Sequence, residues 1–139
     1  MPWPPSSRVR SMSTNEHEAD EARDVRARCE LIIHASSVAA GGAAAATLVP
    51  GADSVAIMPI QVAMVAAIAR EHGIQPSASL IKSTVYATLG SIVGKAGAGL
   101  LLRWTPVAGN VVRASVAFGV TEALGHLVLE RLEAGDGLG

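Results

Sequence analysis

The stretch Ser54-Val55-Ala56-Ile57-Met58-Pro59-Ile60-Gln61-Val62-Ala63-Met64-Val65-Ala66-Ala67-Ile68-Ala69 runs for sixteen residues without a charge. It lies between a turn, Pro50-Gly51-Ala52-Asp53, and a stop, Arg70-Glu71-His72-Gly73. A helix that is apolar all round does not sit on a water-facing surface, so this one is buried in a core, in a partner or in lipid. Asp53 is placed to cap it, Gly73 to end it as a glycine C-cap, and Pro59 at its seventh position to kink it. Gln61 is its one strongly polar side chain. Its amide needs partners if buried, which makes it a hydrogen bond that specifies the bundle or a polar contact to a ligand.

Upstream, Glu16 to Glu30 (EHEADEARDVRARCE) is highly charged, and Asn15 is placed to cap it. From Leu31 to Val49 the polar residues are His34, Ser36, Ser37 and Thr47. A solvated front half therefore leads into a buried rear half, ended by Pro50-Gly51. Downstream of Gly73, Ser77 or Ser79 starts a third helix that runs to about Trp104. Thr105-Pro106 breaks it, and Val107 or Asn110 begins a fourth that reaches Leu132 before the glycine-rich tail AGDGLG. The connections are a few residues long, so consecutive helices are expected to be antiparallel neighbours. The expected fold is an all-α compact bundle of about four helices, arranged as two antiparallel helical hairpins. Both hairpins turn at a short Pro/Gly element, one containing Pro50 and Asp53, the other Pro106 and Gly109, which hints at internal duplication.

The 139 residues are half apolar, with aromatics at 3%. Alanine supplies much of that count and glycine adds 14 residues beside it, so helix backbones are expected to pack closely. Gly90, Gly94 and Ala98 form a four-residue ridge on the third helix, where each interior glycine costs about 1 kcal/mol relative to alanine and so needs a reason. Such a ridge serves as a tight contact inside the bundle or as a face for another chain. The opening fifteen residues, with three prolines among serines and arginines, read as a disordered tail rather than a secretory signal, with Met12 a candidate start. The domain expected is 16–134, flanked by a disordered tail over 1–15 and a flexible one over 135–139.

A formal net charge of -1 gives no electrostatic case for nucleic acid. Cys29 is alone, which rules out an internal disulfide framework and suits a reducing compartment. A spanning helix needs about 20 apolar residues. Leu31 to Val49 comes close, whereas Lys95 interrupts the third helix and Arg113, Glu122 and His126 the fourth. Yet the rear of the first helix and all of the second lack the charged stripe that a small soluble bundle carries. A protein that covers extra apolar surface on a membrane or against copies of itself is therefore expected, membrane-associated on the cytoplasmic side, with a soluble cytoplasmic protein as the alternative.

Gly90-Ser91-Ile92-Val93-Gly94-Lys95-Ala96 resembles a phosphate-binding loop, but it is one residue short between glycines, lacks the hydroxyl after lysine and follows no strand. Glu122 and His126 lie four apart on one helix face, with His34 the candidate third ligand for a metal, though a hydrogen-bonded pair is the simpler reading. Arg113 and Glu122 are expected to meet groups on neighbouring helices, such as Lys95. No spacing groups a nucleophile with a base, so no enzyme, no cofactor and no metal are expected.

Val49-Pro50-Gly51-Ala52-Asp53 followed by Gln61, Met64, Ile68, Ala69 and Gly73, then Thr105-Pro106-Val107-Ala108-Gly109-Asn110 with Thr121, Leu124 and Gly125, resemble a bacterial helical domain family of unknown function. That family is found fused to or encoded near Era-like small GTPases, and in membrane proteins. The resemblance covers about residues 30 to 132. It implies an all-helical accessory domain, often membrane-associated, that works with a GTPase, although these residues include no GTPase domain. It supplies no catalytic residue. The function expected is a non-enzymatic helical module that associates with a membrane or self-assembles, as accessory to a GTPase. The alternatives are a soluble adaptor for a separate GTPase or helical partner, and a metal-dependent enzyme built on Glu122, His126 and His34.

Overall fold

A computed structural model describes residues 7–46, 53–96 and 109–138. Four helices form it: α1 (Ser7–Ala46), α2 (Asp53–Glu71), α3 (Ala78–Ala96) and α4 (Gly109–Glu133). No strand occurs among the described residues. Arg28 meets Glu71 near the middle of α1, and Ala40, Ala44 and Ile57 cluster toward its C-terminal end, so α1 and α2 run antiparallel. Arg26 meets Glu133 and Gly41 meets Ala114, so α1 and α4 do the same. Thr84 near the start of α3 reaches Leu138 just beyond the end of α4, which completes an up-down-up-down bundle. α1 packs on α2 and α4, and α3 closes over α2 and α4 without touching α1. The expected pair of antiparallel hairpins is present.

The main core joins Cys29 and Ile33 of α1, Met64, Val65 and Ile68 of α2, Ile81 and Val85 of α3, and Leu124, Val128 and Leu129 of α4. A second, small-residue cluster of Ala40, Ala44, Ile57 and Ala117 lies toward the other end. Two glycines set the α1–α4 spacing. A Cβ on Gly125 would stand 2.6 Å from Ile33 Cγ1, and one on Gly41 would stand 3.2 Å from the Ala114 carbonyl oxygen. These backbones are close because neither position carries a side chain.

α2 ends as expected at Gly73, whose φ of 74° is the left-handed conformation that glycine adopts without strain. The Ile74 amide reaches the Ala69 carbonyl at 2.9 Å and the Gly73 amide that of Arg70 at 2.9 Å, satisfying two orphan carbonyls. α4 ends in the same way at Gly135 (φ 81°), with Asp136 on Arg131 and Gly135 on Leu132. Ser77 caps α3, its hydroxyl accepting the Leu80 amide at 3.2 Å.

Two expectations change. The first helix begins at Ser7, not near Glu16, so Asn15 lies inside it and the stretch read as a disordered tail is helical from Ser7 on. The prolines stop at Pro5, and the run beyond is held by exposed pairs such as His17 with Glu21 (3.7 Å) and Arg23 with Asp20 (3.5 Å). Every residue from Arg10 to Asp24 is exposed, so this arm contributes nothing to the core. Second, within the stretch read as a flexible tail, residues 135–138 pack against the bundle. Leu138 is buried in the main core, and Thr84 donates to its carbonyl at 2.7 Å, with the Leu80 carbonyl at 2.8 Å as the other acceptor. α2 continues through Pro59, which lies on the exposed side beside an exposed Val55, so water can serve the carbonyl that the missing amide frees.

Candidate functional site

The second helix is apolar all round, but only part of it is covered. Its buried side, with Ile57, Gln61, Met64, Val65 and Ile68, faces α1 and α4. The opposite side, with Val55, Met58, Pro59, Val62, Ala63 and Ala66, forms one wall of an open groove of about 870 Å³. The other wall is the face of α3 that carries Lys82, Tyr86 and Leu89. The spacing of both sets, three or four residues, puts each on one helix face. Val55 is 78% exposed and Tyr86 62%, so apolar surface here stands in water. Lys82 is the one charged residue among the described residues that line the groove.

Gln61 is buried, and its Nε2 donates to Thr121 Oγ1 at 3.2 Å, tying α2 to α4. This is the bundle-specifying hydrogen bond among its two expected roles. Gly90 and Gly94 are exposed, and a Cβ on either would meet nothing within 4 Å, so the ridge is not a tight contact inside the bundle. Gly41 and Gly125 make that contact instead. The same signal, glycine inside a helical run, was available at both. Ala98, Pro50 and Pro106 lie outside the described residues. Asp53 and Gly109 open α2 and α4, although the Asp53 carboxylate is outside the described part. Gly90 to Ala96 is continuous helix, which commits its backbone amides to the helix ladder and leaves no phosphate cradle.

Glu122 draws in both imidazoles that the sequence placed near it. His34 Nδ1 from α1 lies 3.3 Å from one carboxylate oxygen and His126 Nδ1 3.5 Å from the other. His126 Nδ1 also lies 2.9 Å from the Glu122 carbonyl oxygen, and the His34 ring meets Phe118 edge-on at 5.7 Å. Glu122 thus meets these histidines rather than Lys95, which is exposed. Among the described residues no group of three or more His, Cys, Asp or Glu is arranged to hold a metal ion. The His34–Glu122–His126 cluster is a clamp between α1 and α4.

Farther along that interface Arg26 pairs with Glu133 of α4 at 2.6 Å, and beside it Arg28 pairs with Glu71 of α2 at 2.7 Å. Glu71 and Glu133 sit where helix dipoles disfavour carboxylates, and the two arginines of α1 offset that. The hydrogen bond and charge of Glu71 push the Arg28 guanidinium further up. Beside it, burial pushes the Cys29 thiol up, with the charges of Glu71 and Glu133 adding to the effect. A thiol held protonated is a packing residue, not a nucleophile.

Two helices, over Arg10–Ala46 and Val111–Glu133, are long and apolar enough to cross a membrane, each with a best window of mean hydropathy 1.3 that is 33% buried. Compared with models of protein families, with curated proteins and with solved structures, the chain matches none.

Proposed function

We propose that this protein is a non-enzymatic helical module that associates with a membrane or with copies of itself on the cytoplasmic side, as accessory to a GTPase. The observation that carries the association is the open groove between α2 and α3, where Val55, Met58, Val62, Tyr86 and Leu89 line a surface with one charge. Val55 and Tyr86 are exposed while Met58, Val62 and Leu89 are already half-buried against the core, so covering the groove adds a part of the about 1.5 to 3 kcal/mol that fully burying each such side chain contributes. The GTPase rests on the resemblance of the turn and packing residues alone. Fractionation of cells, with sizing of the soluble fraction, tests the proposal. The protein is expected in the membrane pellet or in an oligomer; recovery as a soluble monomer overturns it.

A second reading is a soluble adaptor that binds a separately encoded GTPase or helical partner through α3. Its support is the exposed Gly90 and Gly94, which leave room for a second backbone. Gly94→Leu should then abolish partner capture while helix content stays the same. Retained capture removes this reading.

A further inference from the structure

The groove between α2 and α3 is cationic at one end and apolar along the rest. The two helices run antiparallel, so Ala66 and Lys82 line one end of it and Val55 and Leu89 the other. Arg70 follows Ala66 by one helical turn on the same face and is exposed, which places a second cation at the Lys82 end. Neither side chain has an ion pair among the described residues. Glu71, the next residue along, is taken by Arg28 of α1 at 2.7 Å. Asp136 precedes Leu138, which meets Thr84, and Thr84 is two residues from Lys82 and so on the opposite side of α3. No carboxylate lines the groove among the described residues.

We infer that this groove binds a long-chain fatty acid, its carboxylate held by Lys82 and Arg70 and its acyl chain laid along α2 toward Val55 and Leu89. The inference rests on the reading of the groove as the surface of association and names the chemistry of what it takes up. Val55 to Ala66 spans roughly 16 Å at the helical rise of about 1.5 Å per residue, which suits one extended acyl chain. The volume of about 870 Å³ falls within the range of small-ligand sites, and such sites are apolar with a few polar groups that fix orientation. Here the polar groups are at one end, as an amphiphile with a single headgroup requires. A guanidinium and an ammonium both favour a carboxylate, the first through paired N–H donors. A cationic amphiphile with the same chain would meet two like charges.

Calorimetric titration of the full chain with myristate below its micellar range tests this, against myristyl alcohol and myristyltrimethylammonium. One equivalent of myristate is expected to bind, about tenfold or more tighter than the alcohol, with the ammonium compound excluded. Lys82 is exposed, so Lys82→Glu should keep the circular dichroism spectrum while lowering myristate affinity about tenfold and leaving the alcohol unaffected. Val55→Asp, at the apolar end, should weaken both ligands. Lys95→Glu, on α3 but not among the groove's lining residues, should change neither. Equal affinity for the three amphiphiles, or no effect of Lys82→Glu, overturns the inference. Sedimentation with phosphatidylglycerol vesicles separates it from the reading beneath it. A chain that pellets with vesicles or self-assembles but takes up no myristate overturns this inference alone; a dispersed monomer that binds neither overturns the proposed function as well.

Discussion

At the residue scale, a few positions decide how the helices meet. Gly125 has a β-branched neighbour, Ile33, that is fully buried and has no freedom to retreat. Gly125→Ala should therefore destabilise the fold by about 1 to 3 kcal/mol in urea denaturation; a neutral effect would mean that α1 and α4 do not approach as described. Thr88 is buried on α3, and its hydroxyl has no partner among the described residues. Thr88→Val removes that orphan with little change of shape, so its melting temperature should match or exceed that of the parent, by up to about 1 kcal/mol of stability. Cys29 adds a pH dependence of definite sign. Its thiol is pushed up in the folded chain, so the folded state holds its proton at pH values where the unfolded chain releases it. Its contribution is complete below the ordinary thiol range and is lost as pH rises through and beyond that range. Cys29→Ala should flatten this alkaline decline in stability, read by chemical denaturation from neutral pH upward.

At the element scale, local chemistry made most boundaries legible. Gly73 and Ser77 mark where helices stop and start because left-handed glycine and a capping hydroxyl act within one turn of the chain. Gly73→Ala tests the clearest of these: a Cβ at φ 74° should cost about 1 to 2 kcal/mol although nothing crowds the position, measurable as a lowered melting temperature. Less legible was the start of α1, because serine-rich, charged sequence has weak signals for either state and i,i+4 pairs tip it to helix. Leu138 was missed for another reason. A single leucine among glycines shows no periodicity, and only the tertiary fold reveals the site between α3 and α4 that it fills. The glycine ridge of α3 misled because spacing along one helix says that a close contact is allowed, not which partner takes it. Gln61 was readable, since one amide in an apolar helix has to be satisfied, but its partner Thr121 was not.

At the scale of the whole molecule, four helices close on two apolar clusters and still leave the outer side of α2 and the facing side of α3 in water. α1 and α4 are joined by close glycine contacts and by ion pairs at Arg26 and His34, and Arg28 ties α1 to α2. Such exposed pairs contribute little stability each, so they serve more to fix register than to hold the bundle. The unbalanced feature is the groove, whose apolar surface is the reason for expecting association. Sedimentation velocity of the detergent-free full chain, alone and with vesicles, tests this most directly. The account predicts a species heavier than the monomer or co-migration with lipid, and a monomer at micromolar concentration that ignores vesicles would contradict it.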